Sequence, residues 1–129
     1  MPEQGSPVNT GFTVLVADDN DVAQRLCKRV LEKAGYSVLL AGDGLQAVDV
    51  ALGAHPSMIL MDVAMPTLDG LEATRQIRSR PWGQGIRIIA LTAWGQDAER
   101  RRTREAGMDA HLVKPVDLRA LAAVLRDRE

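Results

Sequence analysis

Three short stretches of this chain end an apolar run in residues that carry charge: Val16-Ala17-Asp18-Asp19-Asn20, Leu60-Met61-Asp62-Val63-Ala64-Met65-Pro66 and Leu112-Val113-Lys114-Pro115. If the runs are parallel strands of one sheet, three carboxylates and one ammonium meet at its edge, with Asp62 at the centre. Carboxylates a few ångström apart repel, and the repulsion must be relieved by protonation or by a cation. Carboxylate and carbonyl oxygens are hard ligands, suited to a Mg2+ ion that keeps several waters and accepts a phosphoryl oxygen. The chemistry these residue types permit is therefore metal-assisted phosphoryl transfer. The plainer use of a polar residue at a strand end is to cap the following helix, a role open to Asn20 or Asp21.

Such a meeting requires strands and helices in strict alternation, and the pattern supplies it. Residues 12–17 predict a strand; residues 20–34 place Val22, Leu26 and Val30 four apart with Cys27, Leu31 and Ala34 alongside, which predicts one inward helix face ended by Gly35. Residues 36–41 predict a second strand. Asp43 can cap a helix over 44–53, where Leu45, Val48 and Leu52 line up before His55-Pro56 stops it. Residues 57–61 are apolar after Ser57, as expected of a central strand covered on both faces. Asp69 is placed to cap a helix over 70–79, with Leu71, Thr74 and Ile77 or Arg78 along it, and a loop over 80–85 leads to a fourth strand at 86–91. A helix over 96–106, a strand over 109–113 and a helix over 117–126 complete five strands and five helices. Alternation of this kind implies right-handed crossovers and a doubly wound α/β fold. The expected form is the flavodoxin-like (βα)5 parallel sheet of order 2-1-3-4-5, in which ligands bind beyond the carboxyl ends of the strands at the switch point.

Bulk properties narrow the function classes. The chain has 129 residues, enough for one domain and one core. Its 16 basic and 17 acidic side chains nearly cancel, which gives no reason to expect direct nucleic-acid contact or an anionic membrane surface. No apolar stretch approaches the ~20 residues of a membrane span, and no signal peptide precedes the first strand, so membrane insertion is not expected and a cytoplasmic location is. Cys27, the single cysteine, cannot form an internal disulfide, and its apolar neighbours suggest core packing. Residues 1–11 are rich in turn formers and read as a flexible leader.

The ordered motifs identify a resemblance. Asp18-Asp19 after the first strand, Asp62 after the third with Met65-Pro66 and Asp69-Gly70, Thr92-Ala93 after the fourth and Lys114-Pro115 after the fifth are similar to the receiver domain of two-component response regulators. Residues 12–127 would form that domain. The resemblance implies a phosphorylation-dependent signalling switch rather than a classical enzyme. Asp62 would accept a phosphoryl group from a phosphohistidine on a histidine kinase or histidine phosphotransfer protein. Asp19 would bind Mg2+ directly, Asp18 directly or through water, and Asp62 with the carbonyl of Ala64 would complete the protein ligands. Lys114 and Thr92 would contact phosphoryl oxygens, and the peptide before Pro115 would be cis. The stretches around Thr92 and Lys114 look most like receivers attached to hybrid histidine kinases. Output would pass through helix 4, strand 5 and helix 5 to a partner or attached domain, since the chain ends soon after its last helix.

The sequence also departs from that family's pattern. Receivers usually carry Tyr or Phe three residues before the lysine, where this chain has His111, a titratable and smaller ring. Ala64 and Trp94, each two residues beyond a key side chain, are expected to control water access to the acyl phosphate and so its lifetime. Helix 4 offers little apolar surface beyond Ala98 and Ala106 and would dock through arginine stems. Two alternatives compete with the switch. A Mg2+-dependent aspartyl-phosphate phosphatase similar to haloacid dehalogenases would need a second Asp where Ala64 stands, and a degenerate receiver that only docks would not need Asp62, Thr92 and Lys114 together.

Overall fold

A computed structural model of the chain describes residues 12–93 and 97–126. Five strands, β1 (Thr13–Ala17), β2 (Ser37–Ala41), β3 (Met58–Asp62), β4 (Arg87–Thr92) and β5 (Ala110–Val113), form one parallel sheet in the order β2-β1-β3-β4-β5. Helices α1 (Asp21–Lys33), α2 (Gly44–Ala54), α3 (Gly70–Arg78), α4 (Asp97–Ala106) and α5 (Leu118–Arg126) connect and follow them. The flavodoxin-like topology expected from the alternation is the one observed.

Strand side chains alternate between two cores. Val14, Val16, Met58, Leu60, Ile89 and Leu91 pack with Cys27 and Leu31 of α1 and Leu121, Val124 and Leu125 of α5. Leu15, Ala17, Ile59, Met61, Ile88 and Ala90 face Ala47 and Ala51 of α2 and Leu71, Ala73 and Ile77 of α3. All five residues of β3 are buried, because that strand lies mid-sheet under helices on both faces. Three helices start on side-chain caps: Asn20, Asp43 and Asp69 accept the N–H groups of Ala23, Gln46 and Glu72. Asn20 rather than Asp21 therefore caps α1.

Two helix faces differ from expectation. In α1, Val22 and Leu26 are 74% and 54% exposed, whereas Cys27 and Leu31 are buried. Gln24 explains the turn of the helix: its side-chain amide donates to the carbonyls of Asp18 and Ala41, tying α1 to the ends of β1 and β2. Val22 and Leu26 each lie two residues from Gln24, about 200° around the helix, and so face away from the sheet. In α2, Leu45 and Leu52 are exposed, and Gly44, Ala47 and Ala51 are buried instead. That face must be small, since a Cβ on Gly44 would lie 1.9 Å from the Leu68 carbonyl oxygen.

The loop expected over 80–85 contains a 3-10 turn at Pro81–Gly83, where Trp82 packs on the core and stacks against His55 with ring centroids 4.8 Å apart. Among the described residues, no helix is long and apolar enough to cross a membrane. The leader over 1–11 lies outside them.

Candidate functional site

Strand register assembles the site. Ala17 pairs with Met61 and Asp62 with Leu91, so Asp18 and Asp62 leave the sheet side by side. Thr92 pairs with Val113, and Lys114, the next residue, donates its N–H to the Thr92 carbonyl at 2.8 Å. The Lys114–Pro115 peptide is cis. Lys114 Nζ lies 3.1 Å from Asp18 Oδ2 and 2.9 Å from Asp62 Oδ2, bridging the two carboxylates.

The other carboxylate oxygens are held by short backbone bonds. Asp18 Oδ1 accepts the N–H of Asn20 at 2.9 Å, and Asp62 Oδ1 accepts that of Ala64 at 3.2 Å. Asp18 and Asp62 are 1% and 4% exposed, while Asp19 and Ala64 sit exposed at the rim and Thr92 is buried. Gly70 lets the loop after Asp62 fold back: a Cβ there would lie 2.1 Å from the Asp62 carbonyl oxygen.

Charge in this site is unbalanced. Burial pushes the Asp62 carboxyl up to about 6, against the pull of Lys114 and the Ala64 N–H, and the neighbouring Asp18 adds to the rise. Burial pulls the Lys114 ammonium down, but its bonds to Asp62 and Asp18 more than reverse this, leaving it raised and charged. One oxygen from each of Asp18, Asp19 and Asp62 lies within 4.8 Å of the others. An all-oxygen donor set with excess negative charge and one open side fits a hard divalent cation that retains waters. Behind it, burial and then Asp18 push up the Cys27 thiol, which keeps it protonated and a packing residue.

The wall opposite Asp62 comes from α4. A cavity of ≈ 510 Å³ contains Asp19, Asp62, Ala64, Thr92 and Lys114 and is completed by Glu99 and Arg102. Sequence reasoning missed these two, as it missed Gln24, because each looks like an ordinary surface polar residue; only spacing from a helix whose inner face was already known would mark them. It also missed Thr103, the buried polar side chain by which α4 meets β5. Thr103 Oγ1 donates to the Arg100 carbonyl at 2.9 Å and lies 3.1 Å from His111 Nε2. With the hydroxyl proton on the Arg100 carbonyl, the His111 contact is made by the tautomer that carries its proton on Nε2 and donates to Thr103. Burial, and then Arg100, hold the His111 imidazole below its ordinary pKa. Trp94 lies outside the described residues.

Comparison with known proteins gives a consistent picture. The family model for the response regulator receiver domain matches residues 14–126. The polar-differentiation response regulator DivK of Brucella ovis is 32% identical over 106 residues, covering 82% of this chain and 86% of DivK. The receiver domain of sensor histidine kinase PA1611 from Pseudomonas aeruginosa, solved with a magnesium ion coordinated in its active-site cleft, is 39% identical with a TM-score of 0.83, covering 90% of this chain and 95% of that one. A chain of the co-crystal of the Saccharomyces cerevisiae histidine phosphotransfer signaling protein Ypd1 and the receiver domain of its downstream response regulator Ssk1 is 30% identical, with a TM-score of 0.84 and coverage of 96% and 90%.

Proposed function

The chain belongs to the response regulator receiver domain family, and from that premise we propose that it is a switch phosphorylated on Asp62 by a phosphohistidine-bearing partner. The observation that carries the proposal is the ammonium of Lys114 shared between Asp18 and Asp62 in a pocket with more acid than base. An Asp62 carboxylate oxygen attacks phosphorus, the new P–O bond forms as the P–N bond breaks, and the partner imidazole leaves with the bonding pair. The product is an acyl phosphate on Asp62.

A Mg2+ ion on Asp18, Asp19, Asp62 and the Ala64 carbonyl would supply charge neutralisation and a template for the incoming phosphoryl oxygens. The chain's own groups do the rest. The backbone N–H of Ala64 and the Lys114 ammonium fix the two Asp62 oxygens. Lys114 then follows a phosphoryl oxygen, and Thr92, buried at the end of β4, offers its hydroxyl to another. Positioning and electrostatics are most of what phosphoryl transfer requires.

The exposed Val22 and Leu26 give the partner a place to dock, since with Ala23, Pro115 and Val116 they line a largely apolar groove of ≈ 430 Å³ that reaches Lys114. Exposed Ala64 leaves the acyl phosphate open to water on its side of the pocket. Signal leaves through the His111–Thr103 contact to α4, towards an output partner on α4, β5 and α5. The cytoplasm, where a lone thiol such as Cys27 stays reduced, is the proposed compartment.

Incubation with Mg2+ and acetyl phosphate, followed by intact mass, tests this reading. Wild type should gain one phosphoryl group, and neither Asp62→Asn nor metal-free wild type should. Equal labelling of Asp62→Asn would overturn it by placing the phosphoryl group elsewhere, and no labelling of wild type would overturn it in favour of a docking-only domain.

A further inference from the structure

We infer that Arg102 is a second cation for the phosphoryl site, held aside by Glu99 until Asp62 carries its phosphoryl group; the inference rests on the phosphoacceptor reading above. Arg102 and Glu99 both line the cavity that contains Asp62, Thr92 and Lys114. Arg102 Nη1 lies 3.2 Å from Glu99 Oε1, one helical turn away. The Glu99 side chain is only 14% exposed and that of Arg102 is 62% exposed, so the carboxylate is set into the wall and the guanidinium lies on the open side.

Charge decides which way the pair moves. Asp19, Asp62, Asp69 and Glu99 line the cavity with Lys114 and Arg102, and Asp18 shares the Lys114 ammonium, an acidic excess that one divalent cation does not fully balance. Phosphorylation then replaces the single charge of the Asp62 carboxylate with the roughly two of an acyl phosphate, a net gain of about one. Lys114 is already divided between Asp18 and Asp62, and Arg102 is the other cation lining this cavity among the described residues. A partly exposed i,i+3 ion pair adds little to stability, so Arg102 gives up little on leaving Glu99. A guanidinium on phosphate oxygens gains a shorter, charge-assisted and potentially bidentate contact. Glu99 is left without its counter-ion, and because it sits on α4 the exchange reaches the face proposed for output.

The test is a double-mutant cycle on the full chain, with saturating Mg2+ and beryllofluoride as the phosphoryl mimic, read by fluorine NMR. Arg102→Gln should weaken beryllofluoride binding about tenfold, the loss of one charge-assisted contact. Glu99→Gln should strengthen it in wild type, and this gain should vanish in the Arg102→Gln background, because freeing a side chain that is absent changes nothing. Arg102→Lys should restore binding only in part. A Glu99→Gln gain that persists without Arg102 would show a general field effect and overturn the proposal, as would unchanged binding by Arg102→Gln. Failure of wild type to bind, or binding by Asp62→Asn equal to wild type, would instead strike the phosphoacceptor reading itself.

Discussion

The two ends of the sheet each hold an aspartate beside a cation, and they use the pair in opposite ways. At the amino ends of β4 and β5, the Arg78 guanidinium donates to the carbonyls of Gly107, Gly83, Gln84 and Ile86 and to Asp109 Oδ2, which also accepts the Ile88 N–H. Every edge of that guanidinium meets an acceptor, and its charge is matched one to one. At the carboxyl ends, three carboxylates gather around a single ammonium, and the central one is pushed up to about 6. The closed pair ties the α3–β4 connection and the α4–β5 turn to α3 and the sheet. The over-acidic cluster stores an electrostatic cost that protonation or an added cation removes. Similar residues thus make a staple when their valences are filled and a site when they are not.

Removing the staple should give the largest effect. Arg78→Ala strips one cation and several carbonyl partners from a junction of which the guanidinium side is only 19% exposed. A loss of ~3 kcal/mol is expected, in the range for breaking a mostly buried pair. Urea unfolding measures it, and a loss under about 1 kcal/mol would break the contrast by showing the junction to be loosely held.

The sharper comparison is one substitution made at both ends. Asp109→Asn should cost about 1–2 kcal/mol at pH 7.5, because it weakens the bond to Arg78 and the acceptor of the Ile88 N–H. Asp62→Asn should instead stabilise the metal-free protein. Folding raises the Asp62 pKa to about 6, so the penalty for its charge is absent below the usual carboxylate range near pH 4 and complete once pH has risen through 6. The expected gain is on the order of 2–3 kcal/mol at pH 7.5, shrinking to nothing near pH 4. Mg2+ should narrow it as well, since it binds native wild type and raises that protein's stability. Thermal unfolding in chelator at several pH values, then with Mg2+, follows all three. Loss of stability in both variants would mean the carboxyl end is as well satisfied as the amino end.

The same contrast governs how far the sequence could be read. Asp18, Asp62 and Lys114 were legible because each follows an apolar run whose parallel pairing fixes where its end must lie. Arg78 was legible only as an alternative to Ile77 on a helix face, and Asp109 only as the start of a strand. Their partners are backbone carbonyls at 83, 84, 86 and 107, which no side-chain pattern marks. The faces of α1 and α2 were misread for a related reason: periodicity ranks residues by apolarity. Here a Gln24 amide bonded to strand ends and the need for a small surface against the 68 carbonyl decide which way each helix turns. The hidden threonine of α4 escaped because a polar residue can face the core when its hydroxyl is bonded to its own helix, as Thr103 is.

The contact between Thr103 and His111 lies between these extremes, a neutral hydrogen bond with neither the staple's many partners nor the site's excess charge, and it should give the smallest change in stability. Thr103→Val keeps the volume and removes the hydroxyl that meets His111 Nε2, so a cost of ~1 kcal/mol is expected, near the value of one ordinary bond. Since burial and Arg100 hold His111 neutral, its contribution should be intact above the ordinary histidine pKa and fall away as pH drops below it, when a protonated ring would face Arg100 and Arg104 with only Glu99 opposing them. The informative measurement is therefore not stability but the response of α4. Hydrogen exchange of α4 amides in Mg2+ alone and in Mg2+ with beryllofluoride should differ in wild type, and the difference should change in Thr103→Val and in His111→Tyr, whose ring changes the bond that ties β5 to α4. An unaltered difference in both variants would reduce the contact to packing and leave α4 to respond through Glu99 and Arg102 alone.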